Sequence, residues 1–331
     1  MALFFISEAR TTSCGLSEKG NAMHVISAQK IASSMNWSGV LDALRDAHLG
    51  QRPTGESYFI GDSSYGLLSR GVVLPGLGAG IKVCSIYPAN NLATPPLPTE
   101  HAAFLVIDEV SKAITAVLDG PEITRWKTAA DSALAAQRLS REDSAVLLVL
   151  GAGPIARALT DAYLHIRPSI EQVLLWNRTA SRLCETCDAL QHRGVNVSIV
   201  SDLNAAIGKA DIITCATSAS TPVVRGEFIR PGTHVDLVGG FRADMREADD
   251  NVLRGARIFV DDRSTSACSG DIQIPLQAGV IAEDQIEGDL YDLCQHSTFS
   301  RTASDRTVYK NAGGAHLDLI VSQYVIARLR A

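Results

Sequence analysis

The strongest chemical signal in the chain is Gly151-Ala152-Gly153-Pro154-Ile155-Ala156. The first glycine allows a tight turn, and the second lets a ligand approach the backbone. The small sixth residue lets helix and strand pack closely, and the N–H groups opening the helix face a phosphate. Such a string alone is weak. Here it follows an apolar strand pattern, Ala145–Leu150, and opens a helix pattern, Pro154–His165, so it predicts a dinucleotide site. The next strand, Gln172–Trp176, bears on which dinucleotide. A site for NAD carries Asp or Glu at that strand's end to hold the ribose 2′-hydroxyl. This strand runs into Asn177-Arg178-Thr179 and on to Arg182, with no carboxylate. Arg178 and Arg182 can face a 2′-phosphate while Thr179 donates a hydrogen bond. NADPH is therefore the expected cofactor and NADH a weaker one; the alternative is that both arginines are plain solvated charges.

Other constellations carry less. Cys184 and Cys187 are the one close pair among seven cysteines, and no second pair completes a metal or redox site, so free thiols are expected. Asp261-Asp262 ends a strand, but no His or Cys stands at ligand spacing, so surface acids and no metal are expected. His316 and Asp318 follow Gly313-Gly314. Either they cap the last helix and orient the loop before it, or they form a proton relay. Without GxSxG, HExxH or a P-loop, hydrolase and nucleoside-triphosphatase chemistry lacks support.

The elements that must position these residues fall into two kinds. Up to residue 126, short β-like runs (Gly80–Tyr87, Ala102–Ile107, Ile114–Leu118) alternate with Pro/Gly/Asn clusters, and a helix is expected around Ile26–His48. Lys112 ends a tight connection that predicts a hairpin between the last two runs. From Lys127 the pattern changes. Thr128–Leu139 is Ala-rich and strongly helical. Strands are then expected at Ala145–Leu150, Gln172–Trp176, Val195–Val200, Asp211–Cys215, His234–Val238 and Ile258–Val260, with helical patterns between them. That alternation predicts an α/β unit with a parallel sheet covered on both faces. Near the end, Leu317, Ile320, Val321, Tyr324, Val325 and Leu329 form one face of an amphipathic helix, expected to return to the N-terminal unit. The expected division is 1–126 plus 305–331 for a strand-rich α+β unit, and 127–304 for the dinucleotide unit.

Composition sets the bounds. At 331 residues, 46% hydrophobic and 20% charged, the chain can bury a sizeable core and is not disordered. The net charge of −6, without a basic stripe, argues against nucleic acid. The apolar run Ala2–Ile6 is short for a signal peptide, and Ser144–Ala156 is short of the roughly 20 residues of a membrane span. A cytoplasmic enzyme with no membrane partner is expected.

Further stretches carry a resemblance. Gly80-Ile-Lys82 followed by Tyr87-Pro-Ala-Asn90 resembles the GxK…PxN signature of the ornithine cyclodeaminase/μ-crystallin family. Asp119-Gly-Pro-Glu-Ile-Thr124-Arg-Trp-Lys127-Thr-Ala-Ala is similar to its DGxxxTxxRTAA segment, and Lys310-Asn-Ala-Gly313 to its late K-S-V-G turn. The resemblance implies a Rossmann-type dinucleotide domain plus a strand-rich substrate and dimerisation domain built from both chain ends, in a homodimer. It adds Thr99, Thr217, Val238 and Gly239 to the cofactor residues, and Ala312 and Gly313 to those facing a substrate. The stretches His234–Asp249 and Lys310–Leu319 are similar to the branch that reduces Δ1-pyrroline-2-carboxylate and Δ1-piperideine-2-carboxylate, cyclic imino acids, to L-proline and L-pipecolate.

Phe241 stands where the cyclodeaminases carry their catalytic aspartate. A cyclic ketimine already contains its C=N bond and needs chiefly a hydride in register, so an aromatic wall suits it; a core phenylalanine is the alternative. The resemblance assigns Lys82 as the catalytic lysine holding the substrate carboxylate, with Arg52 beside it. Lys127 replaces the arginine of RTAA and so loses the planar fork, and Arg125 is a candidate substitute. Rival readings are an ornithine cyclodeaminase, an alanine- or opine-type dehydrogenase, and a μ-crystallin-like protein that binds NADPH and a small carboxylate with little turnover.

Overall fold

Two sheets share the chain in the computed structural model, which describes residues 23–330 apart from 63, 96 and 296–298. The run Ala2–Ile6 lies outside the described residues. The first sheet contains β1 (His24–Ile26), β2 (Thr54–Gly61), β3 (Gly66–Leu74), β4 (Gly78–Ile86), β5 (Glu100–Ile107) and β6 (Ile114–Asp119), in the order β1-β6-β5-β4-β3-β2. From β2 to β6 it is an antiparallel meander, and β1 pairs parallel with β6. The β5–β6 hairpin turns through Lys112, whose φ of 56° lies in the left-handed region. β2 has no sequence signature because every residue of this edge strand is exposed, which erases the alternation a half-buried strand shows.

The single helix expected around Ile26–His48 is two, α1 (Ala28–Ser34) and α2 (Trp37–His48). The break falls at Met35-Asn36, where extended Asn36 accepts a 2.8 Å hydrogen bond from the Gly39 N–H and caps α2. α3 (Gly120–Leu139) starts eight residues before the Ala-rich stretch, because Asp119 caps it through the Glu122 N–H at 2.9 Å and Pro121 sits in its first turn. Most of α3 is buried, and it packs on α2, on β5 and on α4 (Pro154–Ile166).

The second sheet is parallel throughout. It contains β7 (Val146–Leu150), β8 (Gln172–Trp176), β9 (Val197–Ile199), β10 (Ile212–Cys215), β11 (His234–Leu237), β12 (Arg257–Val260), β13 (Ile286–Asp289) and β14 (Thr307–Lys310), ordered β13-β12-β14-β11-β10-β7-β8-β9. Reading outward from β7, this is a Rossmann-type sheet whose order reverses between β7 and β10. β14 corrects the expected switch at 305, since it lies inside this sheet between β11 and β12. Four residues with a threonine and a lysine at their ends make no apolar run. Both ends are buried against partners: Thr307 donates to the Leu139 carbonyl at 2.8 Å and Lys310 to Asp271 at 3.2 Å.

The C-terminal helix, Ala315–Arg330, packs on α2 and α3 and on β3, β4 and β5. Its buried surface is wider than one stripe, taking in Leu319 and Ile326, while Leu329 is exposed.

Candidate active site

The dinucleotide loop sits where β7 meets α4, beside the reversal of strand order. Gly151 has φ +125°, and a Cβ there would lie 2.5 Å from the Ala216 carbonyl. Its N–H donates to the Trp176 carbonyl at 2.9 Å. Gly153 differs: its backbone is extended, and a Cβ would meet nothing within 4 Å. The fold therefore requires glycine at 151, while at 153 the missing side chain leaves open a cradle in front of the unpaired N–H groups of the first turn of α4. Ala152, Pro154 and Ile155 complete this turn, and Ala156 is buried behind it. These residues fit a pyrophosphate. Past β8, the Asn177 amide donates to the Thr179 carbonyl at 2.8 Å. Arg178, Thr179 and Arg182 are exposed, and neither arginine has an ion-pair partner among the described residues.

A cavity of about 310 Å³ opens beside this loop. Ile155, Ala216, Thr217, Ser218, Val238 and Gly239 line it from the parallel sheet. Leu68, Arg70, Lys82, Cys84 and Glu100 line it from the meander, and Thr124, Lys127 and Thr128 from α3. Spacings of three and four put these α3 residues on one helix face. Two loops of the cofactor side are tied together from beneath by Glu247. It accepts from the Thr217 N–H and hydroxyl at 2.7 and 2.8 Å and from the Gly239 N–H at 2.6 Å. Burial, reinforced by the charge of Asp271 and opposed by Lys310, pushes its carboxyl up to about 7.

The opposite wall is cationic. On the paired strands β3 and β4, Arg70 and Lys82 are direct register partners. Like charges so placed repel, so this pair calls for an anion. Asp318 supplies one from below: its two oxygens lie 3.1 Å from the ammonium nitrogens of Lys82 and Lys127. Lys82 also donates to the Thr124 hydroxyl at 2.5 Å. Burial raises the Asp318 carboxyl, but the charges of Lys127 and Lys82 overcome this and hold it below its ordinary value. Burial lowers the Lys127 ammonium against the pull of Asp318, and the charges of Lys82 and Arg70 lower it further.

The late turn closes the cavity with Asn311, Ala312 and Gly313. Gly313 has φ +80°, and its carbonyl accepts from Arg70 at 2.7 Å. Asp261 holds this turn by accepting from the Ala312 and Gly313 N–H groups at 3.0 and 2.5 Å. It is thus a buried anchor rather than the expected surface acid, because four donors converge on it.

Other expectations also change. Arg52 is absent from the cavity lining: its guanidinium forks onto Asp289 at 2.5 and 3.1 Å, reaches Asp292 at 2.8 Å, and stacks over Tyr291. Arg70 takes the cationic place instead. Its signal was hidden because β3 went unread, and with it the register opposite Lys82. Thr99 does not line the cavity; its carbonyl accepts from the Tyr87 N–H at 2.7 Å, and its neighbour Glu100 is the lining residue. Arg125 pairs with Glu122 on its own helix. Phe241 is no core residue: it is 41% exposed and forms a wall shared with a second cavity of about 440 Å³. His316 is buried against His48 and Tyr291, whereas Asp318 joins the cations.

Comparison with known proteins agrees with this geometry. The chain is 40% identical to the Δ1-pyrroline-2-carboxylate reductase of Paracoccus denitrificans over 318 residues, covering 96% of this chain and 100% of that protein. The Thermococcus litoralis Δ1-pyrroline-2-carboxylate reductase, solved with NADH and L-proline, superposes with a TM-score of 0.87 at 28% identity, covering 93% and 98% of the two chains. The iminosuccinate reductase of Paracoccus denitrificans, solved with NAD+, superposes with a TM-score of 0.84 at 25% identity, covering 93% and 96%. The family model matching residues 75–331 takes in β4 with Lys82, the glycine loop and the late turn together, and with it the chain belongs to the ornithine cyclodeaminase/mu-crystallin family.

Proposed function

We propose that this protein reduces the C=N bond of small cyclic ketimine acids, converting Δ1-pyrroline-2-carboxylate to L-proline and Δ1-piperideine-2-carboxylate to L-pipecolate, with NADPH preferred over NADH. The observation that carries this reading is the composition of the cavity. Cations gather on one wall, the dinucleotide loop forms the other, and half-exposed Phe241 stands between them with no carboxylate in its place. Arg70 and Lys82 bind the substrate carboxylate, a charge-assisted contact stronger than a neutral one. Phe241 and Val238 give the ring an apolar wall and exclude water. Bound at the glycine loop, the nicotinamide dinucleotide supplies a hydride for C2 of the imine.

The names and bound ligands of the relatives support a nicotinamide-dependent oxidoreductase acting on C=N. The two unpaired arginines after β8 support the 2′-phosphate. The NADH and NAD+ held by the two solved relatives favour the non-phosphorylated cofactor as a second reading. A homodimer formed through the strand-rich unit belongs to the proposal, supported by Tyr58, Phe59 and Ile60 lying exposed on the edge strand β2.

The test is oxidation of NADPH in the presence of each cyclic imine, run beside ammonia release from ornithine. Rapid imine-dependent oxidation with negligible ammonia is expected. Ammonia release at a comparable rate would restore the cyclodeaminase reading. Imine binding without oxidation would leave a binding protein.

A further inference from the structure

The proposed reduction delivers a hydride to carbon but leaves open which group protonates the nitrogen. Lys127 has the position and the chemistry. Lys127 lines the cavity, and its side chain is 4% exposed. Its nitrogen forms an ion pair with an Asp318 oxygen at 3.1 Å and donates to the Gly314 carbonyl at 3.3 Å, which leaves at least one of its three N–H donors for a ligand. The resemblance expects an arginine here, and a guanidinium keeps its proton at any working pH. An ammonium can release one. Arg70 and Lys82 already supply two cations for the carboxylate, so Lys127 is not needed as a third clamp.

We infer that Lys127 is the catalytic acid of this enzyme, giving its proton to the imine nitrogen while Asp318 links it to Lys82 for replacement. This rests on the ketimine reading above. In the step, C2 gains a hydride from the dihydronicotinamide cofactor, and the C=N π pair becomes the bond between nitrogen and the proton leaving Lys127. Neutral Lys127 then regains a proton from Lys82 through the Asp318 carboxylate. Lys82, with its side chain 14% exposed, recovers its own from solvent. The charged and titratable groups around Lys127 are Asp318 and His316 on the C-terminal helix, Lys82 on β4, Arg70 on β3 and Asp131 on α3. Burial and the two neighbouring cations ease release of the proton, while Asp318 keeps the ammonium charged beforehand.

Lys127→Arg tests this, because it keeps the charge and removes the releasable proton. Three measurements compare it with the wild type. Turnover of Δ1-pyrroline-2-carboxylate across pH should fall about 100-fold where the free imine is unprotonated, and the loss should shrink at lower pH, where the substrate arrives as an iminium. The N-methyl iminium of the same acid takes no proton, and its turnover should change less than about threefold. Calorimetric binding of pyrrole-2-carboxylate, a flat analogue that cannot be reduced, should also stay within about threefold. A variant-to-wild-type ratio that is constant with pH overturns the assignment, whether or not the N-methyl iminium is turned over. So does an equal loss on both substrates. If the wild type reduces neither substrate, the ketimine reading itself has failed.

Discussion

The two walls of the cavity are built on different principles. The cofactor wall is local: six consecutive residues, Gly151 to Ala156, make the loop, and the strand and helix around them supply its geometry. The cationic wall is assembled from β3, β4, α3 and the C-terminal helix, at positions 70, 82, 127 and 318. A local site depends on backbone conformation. A dispersed one depends on charge balance, because three cations can share a buried wall only if an anion holds them.

The largest effect should come from removing that anion. Asp318→Ala leaves Lys82 and buried Lys127 without their shared carboxylate, and breaking such a pair costs about 3–5 kcal/mol. Chemical denaturation should show a loss of this size. A loss below about 1 kcal/mol would mean that the cations are stabilised by something other than Asp318.

The cofactor wall can be split by two glycines. Gly151→Ala forces a side chain into a positive φ and onto the Ala216 carbonyl, so a destabilisation of about 1–3 kcal/mol is expected in thermal unfolding. Gly153→Ala meets open space in an ordinary extended conformation. Its melting temperature should stay unchanged while dinucleotide affinity, read by fluorescence titration, falls about tenfold. Equal effects from both substitutions would erase the distinction between a glycine the fold needs and one a ligand needs.

The smallest expected effect concerns cofactor choice. Arg178→Ala should lower the ratio of kcat/KM for NADPH over NADH by about tenfold, with little change for NADH. An unchanged ratio would make Arg178 the solvated charge that the sequence also allowed.

How far each wall could be read follows from the same contrast. The glycine loop, its flanking strand and helix and the strands alternating after it were legible, because apolar runs and turn residues act over a few positions. Lys82, Lys127 and Phe241 were found through the family resemblance and do line the cavity. Arg52 was misplaced, since a guanidinium of that reach can serve either the cavity or Asp289, and only packing shows which. Arg70 and β14 were missed for related reasons: one lies on an unread strand, and the other is a strand whose polar ends are paid for by distant partners.

By itself, then, the sequence determined the dinucleotide loop, the alternation that makes a parallel sheet and the absence of a carboxylate both after β8 and at Phe241. These are properties of residue type and short spacing. Tertiary structure alone decided that Arg70 faces Lys82, that Asp318 bridges two lysines and that Asp261 anchors the late turn. Each of these joins residues at least twelve positions apart, most of them far more, and their energies depend on burial and on which opposite charge is close, quantities that no local pattern records.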